Sequence, residues 1–408
     1  MFKHYFPLYY TNMDFILTKF TERIKQHKLL TVVYLANIFL SFHYYFIIYI
    51  NSSFLSQFFN DDRVSNLYTI GSIINLILLL NVSKILNKVG NYTIIMSAIA
   101  LEAFAIFGLI FAQNPLLVGI FFLIHQIVVS LILFNLDVFL ESESVDETKT
   151  GGIRGTYLTL ANITLVIAPM LVGLILADNQ FNRVYFISLL CLIPLFILAR
   201  RYFKNYTDVP IAHIKVREAI ITFLEVPNLF KIFMCHLILQ LFYALMIIYM
   251  PVHLNAHIGF SWEQIGVMFT IMLLPFALFE LPIGKLADNT YGEKEILTIG
   301  LIIMGLATLC ISFITAQNFL LWTALLFLTR TGASFVEITS DSFFFKQVNQ
   351  SQTDEISIYR TTRPLGFIIG PIAATFALKF LPYNYIFLFL GITVILGTYW
   401  SLALKDTR

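Results

Sequence analysis

Ala112-Gln113-Asn114-Pro115-Leu116-Leu117 returns later in the chain as Ala316-Gln317-Asn318-Phe319-Leu320-Leu321. The echo keeps its offset through Ser130 and Ser334, Asp137 and Asp341, and Phe139 and Phe343. Nearly the same offset pairs Ile47-Ile48-Tyr49 with Ile247-Ile248-Tyr249, Gly90 with Gly292, Tyr157 with Tyr359, and Pro169 with Pro371. A constant offset of about 200 residues is the mark of one structural unit used twice. Both copies are dominated by long apolar runs, and parallel repeats of that kind hold a site at the interface between them.

Lipid is the solvent those runs require. The chain of 408 residues is 58% hydrophobic and 12% charged, with 41 phenylalanines, too little polar residue to coat a water-soluble globule of this size. A net charge of +2 gives no reason to expect a nucleic-acid partner. Cys191, Cys235 and Cys310 all fall inside apolar runs, so neither a disulfide framework nor a metal cluster is expected. Nothing resembles a phosphate-binding loop, no direct use of ATP is expected, and no cofactor is implied.

Stretches long enough to cross about 30 Å of hydrocarbon as tilted helices lie near 30–52, 64–86, 91–112, 116–140, 153–177, 183–203, 229–252, 262–285, 294–315, 319–345, 356–380 and 383–404. The expected fold is an all-α membrane protein of twelve transmembrane helices in two pseudo-symmetric six-helix bundles. Residues 1–29 form an N-terminal segment, 30–203 the first bundle, 204–228 a linker, 229–404 the second bundle and 405–408 a tail. With loops assigned alternately to the two sides, all but four of the 26 Lys and Arg fall on the side that holds both termini. Arg63, Arg183 and Lys379 lie opposite and Arg330 lies within a span, so both termini are expected in the cytoplasm, at the plasma (inner) membrane. Lys19, Arg23, Lys25 and Lys28 among Phe15, Ile16, Leu17, Phe20 and Ile24 either orient the first span or lie as an amphipathic helix on the anionic leaflet. Within the linker, the apolar period from Val216 to Leu224 predicts one interfacial helix.

Between the eighth and ninth spans runs Gly284-Lys285-Leu286-Ala287-Asp288-Asn289-Thr290-Tyr291-Gly292-Glu293-Lys294. This resembles the cytoplasmic loop signature of the major facilitator superfamily, and Ser83-Lys84-Ile85-Leu86-Asn87-Lys88-Val89-Gly90 is a degraded copy of it in the first half. The resemblance implies a secondary transporter working by alternating access, with this loop latching the cytoplasmic side closed. Carried over, Asp288 meets the start of the fifth span at Gly151-Gly152-Ile153-Arg154-Gly155. Asn289 stands where the family usually has a basic residue. Asn87 stands where it has an acid, which implies a weaker latch near Tyr359 and Arg360. Gly284, Gly90 and Gly292 permit tight turns and close helix approach. Alternatively, both loops are only turns that hold helix pairs together.

Ionisable residues inside spans carry the functional information, because each must face protein or water. Arg330, Ser334, Glu337 and Asp341 follow steps of four, three and four, and so form one polar stripe on the tenth span. Arg330 either attracts an anionic or polar substrate group or holds Glu337 charged until a proton or substrate displaces it; a fixed ion pair is the structural alternative. The repeat sets Gln126 opposite Arg330 and Leu133 opposite Glu337, and it keeps the acids Asp137 and Asp341. Those acids are expected at gates or helix ends near Arg154, Arg360 or Arg363. Asn37, Ser41, Tyr44 and Tyr45 on the first span, and His236, Gln240 and Tyr243 on the seventh, suit either a ligand cavity or interhelical bonding. His125 and Asn75 are weaker candidates, and Glu102 has no partner evident from sequence.

Ala168-Pro169 with Gly173, and Gly366 with Gly370-Pro371, sit at matching places where helices bend or pack closely. The first is loosely similar to the Gly-Pro signature of proton-coupled drug exporters. The expected function is therefore a monomeric, proton-driven secondary transporter of a small molecule, leaning to efflux of an amphiphilic compound and not an enzyme. The alternatives are an uptake symporter for a small polar or anionic metabolite, or a receptor or membrane-embedded enzyme on the same fold.

Overall fold

The computed structural model describes residues 29–142, 147–176, 180–204, 215–287, 291–348 and 353–405. Those residues build the first half from α1 (Leu29–Ile47), α2 (Asn51–Leu55), α3 (Asp61–Val89), α4 (Asn91–Phe111), α5 (Pro115–Ser142), α6 (Glu147–Ile175) and α7 (Phe181–Leu198). After α8 (Val216–Glu225) come α9 (Pro227–Val252), α10 (Trp262–Leu286), α11 (Glu293–Ile311), α12 (Phe319–Gln347), α13 (Thr353–Arg360), α14 (Thr362–Leu378), α15 (Tyr385–Leu396) and α16 (Thr398–Leu402). The segment 15–28, Asp288 and Asn289 lie outside the described residues.

The repeated Asn explains why the repeat was visible. Asn318 Oδ1 accepts the Leu321 amide at 3.1 Å and caps α12, while Asn114 Oδ1 accepts the Leu116 amide at 2.8 Å beside Pro115, the first residue of α5. Side-chain oxygens at that place satisfy amides that the first turn leaves unpaired, and proline suits the position after the cap. The repeated glycines are equally physical. Gly90 has φ 86° and ψ 145°, and Gly292 has φ 92° and ψ 156°, a region in which a Cβ is strained. Gly284 is different: a Cβ there would meet only Ile338, at 3.5 Å, so close approach does not require it.

Eleven described helices are long and apolar enough to cross a membrane. The expected eleventh span, 356–380, is instead two pieces, α13 and the 17-residue α14. Pro364 has no N–H for the Arg360 carbonyl and its ring crowds that carbonyl, so the helix breaks at Thr361. The first span also bends, through a turn at 48–50 before α2. The outer faces of the helices carry Phe104, Phe107, Phe111, Leu174, Phe376 and Leu396, all more than half exposed. Such faces are costly in water and comfortable in lipid, so the protein is a multi-pass membrane protein.

The two largest seams between the halves are α3 against α14 and α6 against α10. At the second, Gly173 and Gly266 meet backbone to backbone; a Cβ on Gly266 would lie 2.5 Å from the Pro169 oxygen and 2.9 Å from the Gly173 Cα. The linker helix α8 docks under the second half, its Phe223 packing on Phe233 and Phe344, while Ile220, Ile221 and Leu224 stay exposed.

Candidate functional site

A cavity of about 410 Å³ lies between the halves. Its first-half wall carries Asn37, Ser41, Tyr44 and Tyr45 of α1, Asn51 of α2, Tyr68, Ser72 and Asn75 of α3, His125, Gln126, Ser130 and Asp137 of α5, and Tyr157 of α6. The second half contributes Ile247, Arg360, Arg363, Pro364 and Phe367. The mouth faces the end of the bundle that holds the termini, where Asp137 and Arg154 keep about a third of their side chains exposed. The opposite end is shut. Ser65 Oγ and Tyr249 OH bond across the halves at 2.6 Å, Tyr49 packs on Phe269, and Phe181 meets Trp262 edge-on.

Many wall groups are held by their neighbours. Asn37 Nδ2 donates to the Tyr157 carbonyl at 2.8 Å. Gln126 Nε2 donates to the Tyr68 carbonyl and to Ser72 Oγ, each at 3.2 Å, and the Gln126 backbone carbonyl accepts from Asn75 Nδ2. Arg363 Nη2 donates to the Tyr44 hydroxyl at 2.9 Å, tying α14 to α1. At the mouth, Arg154 lies 3.9 Å from Asp137 and 3.3 Å from Glu141. The structure therefore places Arg154 with the acids of α5, and its expected partner Asp288 lies outside the described residues. Asn87 is exposed on the last turn of α3.

Six of the residues singled out for substrate or coupling are not in the cavity wall: Arg330, Ser334, Glu337, His236, Gln240 and Tyr243. Ile247, Pro364 and Phe367 stand on the wall in their place. His236 Nδ1 instead bonds Thr362 Oγ1 at 2.7 Å, its Nε2 lies 3.2 Å from Gln240 Nε2, and its ring stacks on Tyr359. Ser334 spends its hydroxyl on the Thr331 carbonyl at 2.9 Å. The ion pair considered for Arg330 and Glu337 is not formed, because they are two turns apart and Tyr243 stands between. Tyr243 donates to Glu337 Oε2 at 2.5 Å, while the Arg330 guanidinium lies over the Phe242 and Tyr243 rings at 5.0 and 5.3 Å. Arg330 is buried, and its Nε and Nη1 have no hydrogen-bond partner among the described residues. Asp341 accepts from Tyr359 OH at 3.0 Å, with His236 at 3.9 Å.

Sequence reading missed Asn51, Tyr68 and Ser72, which reach the cavity because the chain bends at 48–50 and α3 leans inward. It also missed the partners of Glu102. Glu102 Oε1 lies 2.9 Å from His43 Nε2 and 2.5 Å from His125 Nδ1, all three side chains being buried.

Two helical bundles around one central cavity, in a shell of lipid-facing apolar residues, define a membrane transporter fold. The family model described as Major Facilitator Superfamily matches residues 232–408. The fold is similar to that solved for a mutant of the nucleoside transporter NupG, with TM-score 0.72 and 14% identity, covering 92% of this chain and 99% of that one. No curated protein matches the sequence. The match to the family model lies in the second half of the chain, and the likeness in fold to the solved transporter covers both halves.

Proposed function

We propose that this secondary transporter carries a small polar or anionic metabolite by alternating access, in symport with protons, as a monomer in the plasma (inner) membrane with both termini cytoplasmic. One observation carries the substrate class: the charged side chains on the cavity wall are Arg360, Arg363 and Asp137, and Asp137 already faces Arg154. A cavity with that balance repels cations and attracts anions or neutral hydrogen-bonding solutes. The amides of Asn37, Asn51, Asn75 and Gln126 supply polar contacts, and Tyr44, Tyr45, Tyr68 and Phe367 supply flat apolar ones.

Glu337 is the coupling acid in this reading. It is an intramembrane carboxyl bonded to Tyr243, whose ring carries the Arg330 cation, and such a group marks an ion pathway. Gating falls to the paired ends of the halves, with Asp137, Asp341, Arg154 and Arg360 on the side of the termini. The Lys and Arg distribution supports the orientation. A second reading, efflux of an amphiphilic compound, is favoured by the aromatic part of the wall.

Liposomes loaded with a pH dye test both readings against sugars, organic anions and amphiphilic cations. Proton flux driven by anions or polar solutes, lost in Glu337→Gln, is expected. Flux driven only by amphiphilic cations would replace the first reading by the second. Flux that survives in Glu337→Gln would remove that residue as the coupling site.

A further inference from the structure

We propose that Glu102, His43 and His125 form a proton-binding site in the first bundle, in which a proton enters from the cavity beside Asn51 and rests on His125, paired with the Glu102 carboxylate that His43 holds in place. The site is separate from Glu337, and its occupancy is read without any transported ligand.

The argument begins with placement. Glu102 is a lone acid in the apolar α4, with α1, α2, α5 and α7 packed around its cluster. Those elements bring His43, Asn51, His125 and both Tyr185 and Ser188 to it. Among the described residues, the charged or titratable groups acting directly on the carboxylate are the two imidazoles, and Tyr185, with Tyr68 beyond it, is the next titratable group outward. One oxygen, Oε1, receives both rings, while Oε2 has no partner among the described residues.

Proton counting follows from the contacts. Two N–H groups aimed at Oε1 leave His43 Nδ1 and His125 Nε2 as the outer nitrogens. With both rings neutral, the cluster holds one negative charge, buried with no Lys or Arg beside it among the described residues, which is expensive. Adding one proton to either outer nitrogen makes the cluster neutral overall.

His43 is the anchor. Ser188 Oγ, a donor, lies 2.8 Å from His43 Nδ1, which holds the neutral ring with its Nε2–H on Glu102 Oε1.

Access comes from the other ring. His125 and Asn51 both line the cavity, and Asn51 Nδ2 lies 3.4 Å from His125 Nε2. A proton from cavity water binds His125 Nε2, leaving an imidazolium whose Nδ1–H stays on Glu102 Oε1. A half-turn of the Asn51 amide offers Oδ1 to the new N–H and turns Nδ2 to the Tyr185 hydroxyl, which then accepts. The proton that enters is the only species gained, and no bond other than those to hydrogen changes.

The same three side chains resemble a metal donor set, their ligand atoms lying within 4.8 Å of one another. A tetrahedral zinc would hold such atoms about 3.3 Å apart, whereas here Glu102 Oε1 touches each ring at hydrogen-bond distance.

Proton uptake by purified protein in lipid nanodiscs, stepped between about pH 8 and 5, tests the site, alongside infrared difference spectra with ring-labelled histidine. Wild type is expected to show an imidazolium signal. Glu102→Gln and His125→Gln are each expected to lose it, together with about one proton of uptake per chain. His43→Gln, whose amide can still donate to the Glu102 carboxylate, is expected to keep it. Monodispersity identifies any variant that fails to fold, and the remaining variants then decide. Unchanged uptake in Glu102→Gln and His125→Gln would overturn the site, and loss of the imidazolium signal in His43→Gln but not in His125→Gln would overturn His125 as its bearer. Zinc retained stoichiometrically by wild type and lost in Glu102→Gln, with uptake unaffected, would overturn the proton in favour of a metal.

Discussion

Tyr243 does two jobs with one side chain, since its ring faces the Arg330 cation and its hydroxyl bonds Glu337. Tyr243→Phe removes the second and keeps the first. Loss of a hydrogen bond to a buried acid costs roughly 1–3 kcal/mol, so proton-driven flux is expected to change its pH profile while the protein still folds. A profile identical to wild type in the dye assay would separate Glu337 from coupling. This constellation was half legible in the sequence. The four-three-four spacing exposes the Arg330 stripe, but nothing local shows that a tyrosine from α9 enters between its two charges. Glu102 is an extreme case: as a lone acid it is conspicuous, yet its partners lie 59 and 23 residues away along the chain. Only the packing of α1 and α5 against α4 brings them together.

Helices and their junctions were the more readable scale, because their signals are local. The Asn caps and the Gly turns recur in both halves, and their conformations agree. Gly292→Ala places a Cβ at φ 92° and is expected to cost roughly 1–2 kcal/mol, seen as a lower melting temperature in detergent. The break at Thr361 was less readable, since Pro364 lies within an otherwise continuous apolar run and proline is often tolerated inside membrane helices. The crossing of α6 and α10 depends on Gly266, whose added Cβ would press on the Pro169 carbonyl. Backbone cannot give way as a flexible side chain does, and overpacking of this kind costs typically 1–3 kcal/mol. Gly266→Ala is therefore expected to loosen the closed end of the molecule. Faster alkylation of a cysteine placed at Ile265, which faces that seam, would report it, and an unchanged rate would show that the seam absorbs a methyl group.

For the whole molecule, the decisive asymmetry is a cavity that reaches the end bearing the termini and stops at the other. Apolar run lengths and repeats foretold two bundles, but no sequence signal foretold which end would be shut, because closure depends on contacts between halves. The bond between Ser65 and Tyr249 is one such contact. A cysteine at Ser130, on the cavity wall, in a Cys310→Ser background, is expected to react with an impermeant thiol reagent from the side of the termini. From the opposite side it reacts only in the fraction of molecules whose closed end has opened. Tyr249→Phe removes about 1 kcal/mol from the closed state, which raises a minor open population about fivefold. The opposite-side rate should rise by that factor, and Ser65→Ala should produce the same rise. Because both changes break one bond, the double variant should be no faster than either single one. A double variant with multiplied rates would mean that the two hydroxyls hold the end shut through separate partners.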